Sequence, residues 1–183
     1  MNLWLRLIAL MVASAFRPRL DPAREVSRLS FRVWPHDLDV SMHMNNGRYW
    51  TIMDLGRLDI MLRSGAWRAV LRHGWTPVVS AGKIRFRREL KLFRAFTLET
   101  RIVAWAESWF VVEHRVVATA RDGSEILAAI ALLRAGLYDR RAKAFVSMER
   151  MFDEVGLTLT PSPAPTAEVE AFIAAEEALK RAA

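Results

Sequence analysis

Two carboxylates, an imidazole and two neighbouring amides are crowded into Asp37-Leu38-Asp39-Val40-Ser41-Met42-His43-Met44-Asn45-Asn46-Gly47-Arg48-Tyr49. A carboxylate can attack a carbonyl directly or deprotonate a water that does so. An imidazole can move a proton or orient a loop. Asn is a preferred cap where a helix opens, and an opening turn carries unpaired N–H donors and the positive end of the helix dipole. The stretch therefore reads as a reaction site built at a helix N-terminus. Each residue also has a plainer use. Asp37 and Asp39 can bond the backbone of their own loop, as Asp does in turns. His43 can hold the loop by a hydrogen bond, and Asn45 and Asn46 can act as caps alone.

The elements around this stretch must hold it. Ser30–Pro35 before it has extended character, and from Trp50 to Arg63 apolar residues fall at helical spacing over more than one face, as in a broadly buried helix. Ser64-Gly65 stops that helix, and Trp67 to His73 makes a short further turn before Gly74. The period then changes to two. From Thr76 to Leu90, Lys83, Arg85 and Arg87 alternate with Ile84 and Phe86, which predicts a half-buried strand. Strands follow at Phe96–Ala106, Trp109–Arg121 and Glu125–Tyr138, with a hairpin signal at Asp122-Gly123. Ile126 to Leu133 is apolar on both faces, as in a central strand or one covered by a second layer. Beyond Phe145 the pattern predicts a short helix at Met148–Val155, a Pro-rich linker at Thr160–Pro165 and a terminal helix over 166–183.

The string Asp37-x-Asp39, then His43-x-Asn45-Asn46, then Tyr49 with Asp54 and Arg57 in Y-x-x-x-x-D-x-G-R, resembles the hot-dog-fold acyl-CoA thioesterases of the 4-hydroxybenzoyl-CoA thioesterase-like branch. Its nearest flavour is the member-six group and its bacterial relatives. The resemblance implies an α+β hot-dog fold, a long antiparallel sheet wrapped around a central buried helix, over residues 28–147. Residues 1–27 and 148–183 would be helical extensions. It also implies hydrolysis of an acyl-CoA to free acid and coenzyme A. Asp39, matching the second Asp of the motif, would be nucleophile or general base, and backbone N–H groups near Asn46 and Gly47 would polarise the carbonyl. His43 would assist, and Asn45, Gly47 and Tyr49 would touch substrate, although on a helix a packing role for Tyr49 and a pairing of Asp54 with Arg57 or Arg48 serve as well. Relatives of this kind are dimers or tetramers, so a homodimer or homotetramer is expected. Many carry Gly immediately before the His, whereas this chain has Met42, which bears on the turn and on the reach of Asp39. Hot-dog hydratases also set an Asp near a His, but no Asn-Pro lies between Asp39 and His43. A non-catalytic acyl-CoA or lipid-binding protein is the other alternative.

Composition narrows the partners. The chain has 183 residues, 52% of them hydrophobic, and no cysteine, so it can fill a core but cannot build disulfides, a cysteine nucleophile or a Cys-ligated zinc site. Four histidines without H-E-x-x-H spacing suggest neither metal nor other cofactor. The net charge of +7 suits an anionic partner, and no nucleic-acid-binding signature accompanies it. Coenzyme A phosphates would fit Arg85, Arg87 and Arg88 within the cluster Lys83–Arg94, and a solvated strand edge guarded by charge would look the same. Within residues 1–16, Leu3 to Phe16 is nearly all apolar, interrupted by Arg6, with Ala13-Ser14-Ala15 near its end. It fits a helix packed on the domain, a shallow membrane-surface anchor, or, third, an export signal. The expected location is cytoplasmic, with membrane contact through that segment.

Overall fold

The apolar run after Asn46 folds as α2 (Asn46–Ser64), in a computed structural model that describes residues 3–120 and 122–182. Tyr49, Ile52, Met53, Leu55, Gly56 and Ile60 of this helix are buried. The Asn45 side chain caps it by accepting the Gly47 N–H at 2.8 Å. Gly65 ends it at φ 89° and Gly74 ends the short α3 (Ala66–His73) at φ 69°, the left-handed stop that glycine makes without a Cβ penalty.

A single antiparallel sheet lies against α2. Its strands are β1 (Ser27–Arg32), β2 (Trp75–Phe86), β3 (Ala95–Trp105), β4 (Phe110–Thr119) and β5 (Glu125–Asp139), in the order β1-β3-β4-β5-β2. A two-residue β6 (Ala144–Phe145) pairs with the end of β5. Phe96, Leu98, Thr100 and Ile102 alternate on one face of β3, buried, against more exposed Thr97, Glu99 and Arg101, as period two requires. On the opposite face of the sheet, Val169 and Phe172 of α5 (Ala167–Ala182) pack on Ala104 and Val111. Phe152 of α4 (Met148–Glu154) joins Trp75, Trp105 and Ile102 in another cluster. β5 runs between β4 and β2 with layers on both sides, which is why its sequence is apolar on both faces. A long antiparallel sheet around one buried helix is the hot-dog arrangement.

Three boundaries differ from the sequence reading. The first strand is Ser27–Arg32 rather than 30–35, because Trp34 leaves the sheet to enter a 3-10 turn at Pro35–Asp37, with its N–H on Asp37 Oδ2 at 2.9 Å. β2 stops at Phe86 instead of Leu90. Beyond it the N–H groups of Arg87 and Arg88 both turn onto the Ala128 carbonyl, at 2.8 and 3.1 Å. β6 carries no period of its own and exists by pairing with β5.

Helix and sheet meet most closely at Gly56. A Cβ there would collide with Thr100 Oγ1 and lie 2.9 Å from Leu98 Cδ2. Two hairpins share one geometry. Between β4 and β5, Ala120 N–H donates to Ser124 O at 2.7 Å, and Gly123, at φ 85°, donates to Ala120 O at 3.2 Å; Arg121 of this turn lies outside the described residues. In the motif loop, Asp39 N–H donates to His43 O at 2.9 Å and Met42 N–H to Asp39 O at 3.0 Å. Met42, at φ 60°, holds the place that Gly123 has in the other hairpin. The left-handed conformation costs a side-chain-bearing residue about 1–2 kcal/mol, and Gly is the residue that avoids it.

Gly56→Ala is expected to lower unfolding free energy by about 2 kcal/mol, because overpacking at Thr100 outweighs the roughly 1 kcal/mol that Ala contributes over Gly within a helix. Urea unfolding monitored by circular dichroism measures it, and an unchanged midpoint would show that α2 can shift away from β3. Met42→Gly is expected to raise stability by about 1 kcal/mol, since the Met42 side chain is 62% exposed and contributes little packing. The same denaturation series would refute this by showing a loss.

Candidate active site

The motif folds as a small hairpin leaning on the opening turn of α2. Leu38 bridges Met44, Asn45 N–H donates to Asp37 O at 2.8 Å, and the tip is the Asp39–His43 turn. A second strand of contacts ties the hairpin to the segment after β2. Met44 N–H donates to Leu90 O at 2.9 Å and His43 bridges Lys91. The His43–Met44 arm of the hairpin is thus paired on both sides, and it holds the arm that carries Asp39.

The two aspartates have separate surroundings. Asp37 is buried and held by Arg6, with Nη1 on Oδ1 at 3.1 Å and Nη2 on Oδ2 at 2.6 Å, and it also accepts the Trp34 N–H. Every oxygen has a partner, so Asp37 builds the loop. Arg6, which the sequence shows only as a break in an apolar run, comes from α1 (Leu3–Phe16). Asp39 is half-buried, and its Oδ1 accepts the Ser41 N–H at 2.9 Å. His43 is half-buried too, with Nε2 2.8 Å from Glu89 Oε2, while Lys91 Nζ lies 3.2 Å from Glu89 Oε1. Glu89 is a further site residue that no motif marked. Its one signal is an acid set among basic residues.

Asn45, Asn46 and Gly47 are exposed on the first turn of α2. The Gly47 N–H is taken by the Asn45 side chain and the Arg48 N–H by the Asn45 carbonyl at 2.9 Å, which leaves Asn46 N–H as the first-turn donor for a ligand. Tyr49 points into the core, 3% exposed and edge-on to Phe86 at 5.1 Å between ring centroids. Burial pushes its phenol up to about 12, so it stays protonated and cannot serve as a base near neutral pH.

Arg85, Arg87 and Arg88 are brought together, all exposed, along an open cleft with Phe86, Glu125, Ile126 and Leu127. This cleft leads directly into the Glu89–Lys91 segment that pairs with the hairpin. On the other side of α2 an apolar cavity of about 420 Å³ lies between Leu58 and Met61 of the helix and Pro77, Val79, Val112 and Leu137 of the sheet, with Asp54 and Arg57 on its wall. Arg57 pairs with Asp54 and places Nη1 3.1 Å from His114 Nε2, while His114 Nδ1 lies 3.0 Å from Thr100 Oγ1. Burial lowers Arg57 to about 10. Burial first, and the Arg57 charge second, hold His114 well below the ordinary imidazole range. His114 is therefore neutral, accepting from Arg57 at Nε2 and donating from Nδ1 to Thr100. Arg57 keeps its charge at neutral pH.

With this geometry in view, the relatives can be compared. The sequence model of the thioesterase-like superfamily matches residues 33–167. Protein THEM6 of Xenopus laevis is 41% identical over 90 residues, 49% of this chain and 44% of that protein. Protein THEM6 of Danio rerio is 42% identical over 103 residues, 56% of this chain and 50% of its own length. The match thus spans about half the length of these relatives. Among solved structures, the 4-hydroxybenzoyl CoA thioesterase from Pseudomonas sp. strain CBS-3 superposes with a TM-score of 0.62 at 18% identity, covering 71% of this chain and 98% of that one. The probable thioesterase YbaW of Escherichia coli gives 0.62 at 21% identity over 70% and 94%. These two share the hot-dog fold. With its family match extending over most of its length and its motif hairpin set at the head of the central helix, the chain belongs to the thioesterase-like superfamily.

Proposed function

We propose that the protein hydrolyses an acyl-CoA thioester to a free acid and coenzyme A. The observation that carries this reading is the placement of the Asp39 carboxylate on a hairpin that is hydrogen-bonded to the start of α2, with three exposed arginines on the adjoining segment. Asp39 attacks the thioester carbonyl or takes a proton from the water that does. The developing oxyanion is met by the Asn46 N–H and the positive end of the helix, the kind of preorganised donor whose loss costs other enzymes about a hundredfold or more in turnover. The carbon–sulfur bond breaks and the coenzyme A thiolate leaves, taking up a proton; on the direct route this leaves an acyl–Asp39 anhydride, which a water then cleaves to release the acid and restore the carboxylate. His43, held by Glu89, keeps the hairpin tip in register. Arg85, Arg87 and Arg88 hold coenzyme A phosphates, and the cavity beside Leu58 and Met61 takes the acyl group. Asp54 on its wall lies about 12 Å along α2 from Asn46.

We further propose that the working form is a homodimer or homotetramer. β2 is 12 residues long and pairs on one side with β5, and among the described residues no strand covers its other edge. A long bare edge is a template for a second chain. A second reading, acyl-CoA binding without turnover, is favoured by the Ser41 N–H bond that already occupies Asp39 Oδ1.

Release of free coenzyme A from a panel of short, long and aromatic acyl-CoAs is expected, falling at least a hundredfold in Asp39→Asn. Arg85→Ala/Arg87→Ala/Arg88→Ala is expected to raise KM roughly tenfold for acyl-CoA but leave acyl-pantetheine, which lacks the nucleotide phosphates, unchanged. Equal rates with and without Asp39 would instead support the binding reading. Sedimentation equilibrium is expected to give the mass of a dimer or tetramer at micromolar concentration, and a monomer would remove the strand-pairing proposal.

A further inference from the structure

Helix α1 buries its arginine and exposes its hydrophobes. Arg6 and Leu10 are 5% and 6% exposed, whereas Trp4, Leu5, Ile8, Met11, Val12 and Phe16 are each more than half exposed. At roughly 100° per residue these six share one outward arc of about 140°, as wide as the face that a soluble helix turns to its core. The inward side is already satisfied. Leu3, Leu7 and Leu10 pack with Leu29, Leu55 and Leu58, and Arg6 is bound to Asp37 and to the Arg32 carbonyl. The outward face therefore cannot roll under to hide itself without breaking a buried ion pair.

Charge and dimensions favour a bilayer surface as the occupant. Of the arginines between Leu3 and Leu20, Arg6 and Arg17 are paired with Asp37 and Asp59, but Arg19 is exposed, the stretch holds no acidic residue and the net charge of the chain is +7, so an anionic surface attracts it. A helix of 14 residues is about 21 Å long, and no helix among the described residues is long and apolar enough to cross a membrane. It can lie in the surface plane, with Trp4 near one end, where an amphipathic ring is at home. A second copy of the chain is a poorer fit. One face of so short a helix offers a flat partner only a few hundred Å², against about 800 Å² per partner in a stable interface, whereas fluid lipid can enclose each side chain.

We propose that α1 docks on an anionic bilayer with its Trp4-to-Phe16 face in the headgroup and acyl boundary. The Arg6–Asp37 pair transmits that placement to the hairpin, because Asp37 lies two residues before Asp39. The candidate site is thereby held at the membrane plane. Docking does not depend on whether Asp39 turns over a thioester.

The test is co-sedimentation of the full chain with vesicles of phosphatidylcholine, alone or mixed with phosphatidylglycerol, alongside Trp4→Ser/Ile8→Ser/Met11→Ser/Phe16→Ser. These side chains are exposed, so an unchanged unfolding midpoint is expected of the variant. The parent chain should pellet with the mixed vesicles and less with the neutral ones, and the variant should partition at least tenfold less. Three results would each overturn the proposal. One is a parent chain that stays in the supernatant with both vesicles. Another is binding that the α1 variant retains in full, which would move it to the basic cleft. The third is a variant whose solution mass falls below the parent's, which would make a second copy the occupant.

Discussion

Everything at the site hangs on how closely α2 approaches the sheet. Gly56 lets the helix backbone sit on Thr100 and Leu98 of β3 with no side chain between. The contact fixes the helix along its length, and with it the turn where Asn45 and Asn46 sit, about 15 Å away at 1.5 Å per residue. Gly82 provides a comparable close approach on β2. A Cβ there would meet the Trp50 ring at 2.9 Å, so the first turns of α2 press on the strand that continues into the Arg87–Lys91 segment. Two missing side chains thereby set the spacing between helix start, hairpin and basic cleft.

Buried charge then ties α1 and its exit to that frame. Asp37 takes Arg6. Asp59, fully buried on α2, receives Arg17 at 3.1 Å, Ser27 Oγ at 2.7 Å and Arg63 at 3.2 Å. A buried carboxylate is costly unless paired and hydrogen-bonded, and removing one partner from such a group typically costs several kcal/mol. These pairs add little net stability compared with apolar packing, but they permit one arrangement only. Helix α1 is held by directional bonds on its inner side, and its outer hydrophobes have no part in folding the domain.

Periodicity made most of this fold legible. α2, α3 and the four long strands follow from spacings of 3.6 and 2 together with the glycines at 65, 74 and 123, because those residues act locally. The boundaries that moved were decided by distant groups. Trp34 leaves β1 because Asp37 captures its N–H, and β2 ends where Ala128 accepts two donors at once. The motif likewise marked the loop but not its supports. Arg6 and Glu89 reach it from far along the chain, and neither belongs to a local pattern. The spacing of Asp54 and Arg57 did announce their pair. It did not announce His114, which joins it from β4 across the core.

A helix is straight and a sheet curls, so the two can touch closely along only part of their length. Beyond the contact at Gly56, the cavity lies beside Leu58 and Met61, between α2 and residues of β2, β4 and β5. Side chains determine what the space accepts. Its walls are aliphatic, which suits the body of an acyl group. Of the two charged residues on its wall, the half-buried Arg57 is already committed to Asp54 and His114. Because His114 is neutral and gives its own proton to Thr100, it can only accept from Arg57, and the guanidinium is held facing the sheet. Helix, strand and cavity wall are in this way locked by one row of polar atoms, so the cavity and the spacing of the site loop cannot vary independently.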